Sequence, residues 1–163
     1  MNLNTLDANY IVVPIPEAVA REVRETRKAP GYGHPAPADI AGGYGPCRLC
    51  LQPLAIGQDE RLLFTYDPFA GREPFPLPGP IYIHAAECSP HDDGTFPDEL
   101  RFIPLTLNAY ASGRHLVAQE RLANGQDLLV EHALASLFSN PSVAYVHIRN
   151  TEAGCFIAQA ERR

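Results

Sequence analysis

The sequence predicts an α+β fold: a largely antiparallel sheet with one short N-terminal helix and one long C-terminal helix. Three observations carry this expectation. Two hairpin signals, one at Ser112-Gly113 and one at Asn150-Thr151-Glu152-Ala153-Gly154, flank a segment whose apolar residues recur at helical spacing. Short runs rich in β-branched and aromatic residues recur through the rest of the chain. The order hairpin, helix, hairpin gives a sheet covered on one side by the C-terminal helix. With 163 residues, 45% hydrophobic and 20% charged, the chain is long enough for one core, and a single domain over 1–163 is expected.

Residues 9–15 read as a first strand, placed at an edge because Pro14 has no N–H for a ladder. Pro16 suits a helix start, and a short amphipathic helix follows over 17–28 with Ala18, Val19 and Val23 as its apolar positions. Prolines and glycines then cluster, giving a mobile surface loop at about 29–46 in which His34 is solvated. That loop lacks the Gly-Lys-Ser/Thr ending of a phosphate loop. Strands are expected at 61–66 and 81–84, separated by a Pro-rich segment at 74–80. Alternation places Tyr82 and His84 on one face of the second strand, with Ile81 and Ile83 on the other. Strands at 104–111 and 115–122 precede a helix over 126–139, whose stripe is Val130, Ala133, Leu134, Leu137 and Phe138. His132 falls off that stripe, on the exposed side. In the last hairpin, pairing Arg149 with Cys155 puts Ala144, Val146, Ile148, Phe156, Ala158 and Ala160 on one face. Tyr145, His147, Arg149, Cys155, Ile157 and Gln159 share the other.

Charge and hydropathy exclude several functions. A net charge of -6 with no basic run opposes phosphate neutralisation, so nucleic acid is not an expected partner. The N-terminal residues lack a signal-peptide pattern, and no apolar run approaches the ~20 residues of a membrane span. A cytoplasmic location without a membrane partner is expected. In a reducing compartment, closely spaced cysteines bind metal, react or pack more often than they cross-link.

The sharpest chemical signal is the set Cys47, Cys50, His84 and Cys88. A Cys-x-x-Cys turn lets two thiolates reach one ion, and a His-x-x-x-Cys segment brings two more ligands, a Cys₃His set suited to zinc. Packed reduced thiols and a redox dithiol of Cys47 and Cys50 are the competing readings. The second candidate is the closing hairpin. There His147 could activate the Cys155 thiol, while Tyr145, Arg149 and Asn150 hold an anionic substrate. Its structural alternative is a polar solvent face with Cys155 as a small residue after a turn.

Three blocks stand in order along the chain: Pro46-Cys47-Arg48-Leu49-Cys50-Leu51, then Leu62-Leu63-Phe64-Thr65-Tyr66-Asp67-Pro68-Phe69, then Gly79-Pro80-Ile81-Tyr82-Ile83-His84. Val143-Ala144-Tyr145-Val146-His147-Ile148-Arg149-Asn150 and Gly154-Cys155-Phe156 follow near the end. In these blocks the chain resembles the bacterial, uncharacterised family known as domain of unknown function 1203. The resemblance implies no activity. The expected function is therefore a small binding or accessory module with a structural Cys₃His zinc site, its partner an unidentified small molecule or protein. The alternative is a small cysteine-dependent hydrolase or transferase acting on an anionic substrate.

Overall fold

A computed structural model describes residues 8–72 and 75–163. Residues 1–7, read above for leader-like features, and Pro74, the start of the second Pro-rich segment, lie outside the described residues. In chain order the elements are β1 (Tyr10–Val13), α1 (Glu17–Thr26), β2 (Ala38–Ile40), β3 (Glu60–Tyr66) and β4 (Gly79–His84). A single 3-10 turn at Asp98–Leu100 follows, then β5 (Leu105–Tyr110), β6 (Leu116–Leu122), α2 (Leu129–Phe138), β7 (Tyr145–Asn150) and β8 (Phe156–Arg162). All strand pairings among these elements are antiparallel. The fold is α+β and mostly sheet, but the described residues form two sheets, and the chain divides into two compact units.

The first unit comprises the chain up to Val13 together with Asp92–Arg163. Its five strands run in the order β1-β8-β7-β5-β6, with β1 at an edge, where Pro14 can follow without breaking a ladder. Leu105, Leu107 and Ala109 of β5, Val146 and Ile148 of β7, and Ala158 and Ala160 of β8 are all buried. So are Val130, Leu134, Leu137 and Phe138 of α2, while His132 is exposed as its place off the stripe requires. Tyr10 stacks on Phe138 with ring centroids 6.2 Å apart.

The C-terminal helix is not long. Both helices have ten residues, because Asp127 and Leu128 adopt φ of 53° and 60°, left-handed conformations that cannot propagate a right-handed helix. Apolar periodicity is blind to this, since it sees side chains and not backbone angles. Arg162 satisfies the other end of α2 by donating to the carbonyls of Phe138, Asn140 and Val143 at 2.9, 3.1 and 2.6 Å.

Ahead of α2, Gly125 sits against its first turn. A Cβ there would lie 2.9 Å from Val130 Cγ2 and 3.2 Å from the Arg101 Cα. Gly125→Ala is expected to destabilise the chain by ~1–3 kcal/mol, the cost of overpacking a filled site. A lower urea midpoint with an unchanged slope would show it.

The β7–β8 register corrects the sequence-based pairing. Tyr145 pairs with Glu161, His147 with Gln159 and Ile148 with Ala158, and a bulge then sets Arg149 opposite Phe156 instead of Cys155. The extra residue reverses the alternation locally. Phe156 therefore joins the His147 face, with its ring 5.2 Å from the imidazole, instead of the Val146 and Ile148 face.

The second unit is Pro14–His91, a three-stranded sheet in the order β2-β3-β4 with α1. Leu62 and Phe64 of β3 and Ile81 and Ile83 of β4 are buried by strict alternation. The buried face of α1 is Ala20 and Val23, with Ala18 exposed and Val19 half-buried, a rotation from the apolar face read from the sequence. Half-buried Arg24 follows Val23 on that face. Within 29–46 the chain forms β2, which pairs with β3 and is fastened by Arg61, whose Nε lies 2.9 Å from Asp39 Oδ1 and whose guanidinium stacks 3.9 Å over Tyr82. Exposed His34 bonds the Thr65 hydroxyl at 2.7 Å.

Candidate metal centre

The Cys47–Cys50 turn is built by its own backbone. Cys47 N–H donates to Gln52 O at 2.9 Å and Leu51 N–H to Cys47 O at 2.8 Å, while Pro46 and Pro53 bridge its base. Leu51 takes φ 59°, the left-handed position that glycine fills in knuckle turns. That conformation costs ~1–2 kcal/mol. The Leu51 side chain is completely buried, which offsets it by about 2 kcal/mol. Two sulfurs of the turn accept backbone N–H groups, Cys47 from Cys50 and Cys50 from Gln52.

One hydrogen bond aims the turn at β4: Arg48 N–H donates to Tyr82 O at 3.0 Å. His84 lies two residues further along the same strand, on the same face as Tyr82. Its backbone N–H donates to Cys47 Sγ at 3.3 Å. Cys88, four residues later, returns to the cluster.

All four ligand atoms lie within 4.8 Å of one another. Cys47 Sγ is 3.8 Å from Cys88 Sγ, and Cys50 Sγ is 3.5 Å from His84 Nδ1. A tetrahedral ion with bonds of ~2.3 Å to sulfur and ~2.0 Å to nitrogen spaces its ligands by about 3.8 Å between sulfurs and about 3.5 Å between sulfur and nitrogen. The two observed edges match. Cys47, Cys50 and Cys88 are not joined by disulfides, and a gap of 3.8 Å is no S–S bond, which spans ~2.05 Å.

Two neighbours that the sequence does not single out complete the arrangement. Asp59 Oδ2 lies 3.1 Å from His84 Nε2 and accepts Ala55 N–H at 2.7 Å, so a fixed carboxylate turns Nδ1 toward the sulfurs. The Ala55 N–H, and then His84, hold the Asp59 carboxyl below the usual carboxylate range. Arg24 Nη2 donates to Cys88 Sγ at 3.2 Å, and its Nε donates to His84 O at 3.1 Å. Three thiolates around a divalent ion carry one net negative charge, and this guanidinium opposes it. The only sequence hint of Arg24 is a cation next to Val23 on a face that folds inward.

Without metal the sulfurs share charge unequally. Hydrogen bonds from Cys50 and Cys88 push the Cys47 thiol well below the usual thiol range, against the opposing effect of burial. The contact with Cys47 pushes Cys50 and Cys88 above that range. His84 is raised above the ordinary imidazole value, first by its bond with Cys47.

The closing hairpin has a different character. His147 is completely buried, its Nε2 3.2 Å from Gln159 Oε1 and its ring packed at 5.1–5.2 Å against Tyr145, Tyr110 and Phe156. It is not on a solvent face. The Tyr145 hydroxyl donates to Gly113 O. Arg149 Nη1 donates to Gly154 O at 3.2 Å, and burial lowers its pKa. Asn150 Oδ1 accepts the N–H groups of Glu152 and Ala153 at 2.9 and 3.1 Å, so this side chain builds the turn. Cys155 is half-buried and close enough to Arg149 to act on its charge.

Fold and site together define a small antiparallel α+β protein with a Cys₃His group that could hold a metal such as zinc. The chain belongs to the family described as protein of unknown function (DUF1203), whose model matches residues 44–162. Cys47, Cys50, His84 and Cys88 fall inside the match; Arg24 precedes it. Curated proteins and solved structures give no match. No helix among the described residues is long and apolar enough to cross a membrane.

Proposed function

We propose that Cys47, Cys50, His84 and Cys88 bind one zinc ion in a structural site, and that the protein serves as a small binding or accessory module. The observation that carries this is the agreement of the sulfur–sulfur and sulfur–nitrogen spacings, 3.8 and 3.5 Å, with the edges of a zinc tetrahedron. Four protein donors leave no coordination position for a substrate or an activated water, which favours structure over catalysis. The ion would tie together the turn at 47–50, the end of β4, the Cys88 segment and, through Arg24, helix α1. Elemental analysis of chain purified without chelators or a polyhistidine tag tests this. One zinc per chain is the expected result, and less than a tenth of that overturns it.

The ligand shell sets two further expectations. Asp59→Asn keeps shape but loses the carboxylate that orients His84, so zinc affinity should fall ~10–100-fold in a competition titration with a chromophoric chelator. Affinity should also rise with pH. Cys50 and Cys88 are raised above the ordinary thiol range and must each give up a proton to the solvent on binding. His84, raised as well, adds another as pH falls, and affinity then falls more steeply. Affinity independent of pH between about 6 and 8 would contradict this proton release.

The competing reading is a cysteine-dependent hydrolase or transferase using Cys155 and His147. The Arg149 charge beside Cys155 favours it. It also requires an imidazole that substrate can reach, and His147 has no exposed surface. Alkylation of Cys155 no faster than a free thiol across pH would exclude an activated nucleophile.

A further inference from the structure

The three sulfurs of the cluster are not equivalent, and this inference rests on the proposal that they hold zinc. Cys47 is completely buried, whereas Cys50 and Cys88 are half-exposed. For a sulfur held as a thiolate by a metal, reactivity toward electrophiles falls as hydrogen-bond donors take up its charge, and charged donors take up most. Cys88 accepts such a bond from the Arg24 guanidinium at 3.2 Å. Cys50 accepts the neutral Gln52 N–H, and its contact with His84 Nδ1, 3.5 Å away, would be given up once that nitrogen binds the ion. Cys50 therefore combines access to solvent with the least shielded sulfur. Cys47, on the same turn and with its sulfur within 4.8 Å, would be a thiolate when zinc is bound and is the one placed to respond.

We infer that Cys50 is a reaction site for hydroperoxides, with Cys47 as the resolving thiolate, and that the product is a Cys47–Cys50 disulfide with release of the metal. Cys50 sulfur attacks one peroxide oxygen, the O–O bond breaks, and the departing hydroxide takes a proton to leave as water. Cys47 sulfur then attacks the sulfenic sulfur, forming the S–S bond and expelling a second hydroxide, which is also protonated. Two thiolates, one hydrogen peroxide and two protons thus give one disulfide and two waters, the thiolates losing the two electrons that the peroxide gains. Only His84 and Cys88 remain as donors, too few for a structural zinc site. Arg24 is a positioning residue in this scheme, directing oxidation away from Cys88.

The test uses the zinc-loaded full chain and hydrogen peroxide. Zinc release is followed with a metallochromic dye and the disulfide mapped by mass spectrometry of non-reduced peptides. The expected result is one zinc released per disulfide formed, a Cys47–Cys50 bond, and recovery of zinc binding after reduction. Arg24→Gln should release zinc ~10-fold faster and divert part of the product to Cys47–Cys88, because the charged bond that shields Cys88 is gone. Arg24→Lys, which keeps the charge, should restore the native product. Zinc retained under excess peroxide, or a native product bridged through Cys88, overturns the inference while leaving the zinc site standing. A native chain that carries no zinc sinks both.

Discussion

Chelation of the native protein should lower its thermal midpoint by on the order of 10 °C. A metal held with free concentration ~1,000-fold above its dissociation constant contributes about 4 kcal/mol to the folded state, and in a chain of this size each kcal/mol moves the midpoint by ~2–4 °C. The effect belongs to the second unit, whose core is one three-stranded sheet and α1 and whose turn at 47–50 has little regular structure of its own. Cys47→Ser should reproduce the loss and abolish further response to chelator. Cys47 is the buried centre of the set, so a hydroxyl there loses the metal and gains no solvent. Calorimetry with and without chelator, on both proteins, gives the comparison. A native midpoint unmoved by complete metal removal would refute a structural role.

Glu131→Ala should cost up to about 3 kcal/mol in the first unit, the low end of the ~3–5 kcal/mol for breaking a buried pair, because Arg101 is only partly buried and keeps its bond to Asp98. Arg101 and Glu131 are each about 15% exposed at the side chain (15% and 14%), and the guanidinium meets the carboxylate through both Nη atoms. It also donates to Asp98, to Gly125 O and to Phe96 O, joining the 3-10 turn, the loop before α2 and the helix itself. The Glu131 bond and, less strongly, the Asp98 bond hold the Arg101 pKa above its ordinary value. Glu131→Gln retains a hydrogen-bond acceptor and should lose less. Replacing Arg101 by Met together with Glu131 by Leu removes both charges and should recover most of the stability, as paired apolar replacements do. Equal losses in the Ala and Gln variants would show that the carboxylate charge alone, and not the packing or the acceptor that Gln retains, holds this corner.

Much of the candidate site was legible because its four residues come as two local pairs. Cys47 with Cys50, and His84 with Cys88, each announce themselves by spacing. The meeting of the pairs was not legible. It depends on Arg48 bonding Tyr82 across the turn and on β3 holding β4 in register, contacts between residues far apart in the chain. The missing knuckle glycine also misleads, because Leu51 takes the left-handed conformation and is compensated by burial that only the fold supplies. Asp59 and Arg24 carry no motif at all.

The fold shows the same division. Strand alternation in β4 and the apolar stripe of α2 were readable, since each follows from a local period. The shortened start of α2 and the bulge that turns Phe156 toward His147 depend on single backbone angles and one extra residue. His147 reads as a solvent-facing polar residue because alternation places it opposite Val146 and Ile148. The rings of Tyr110, Tyr145 and Phe156 enclose it instead, and they come from three strands.

X-ray absorption at the zinc edge, on untagged protein never exposed to chelator, addresses the coordination sphere itself. The expected spectrum fits three sulfurs at ~2.3 Å and one imidazole nitrogen at ~2.0 Å around one zinc per chain. A metal-free chain, or a shell completed by oxygen in place of any of the three sulfurs, would contradict it.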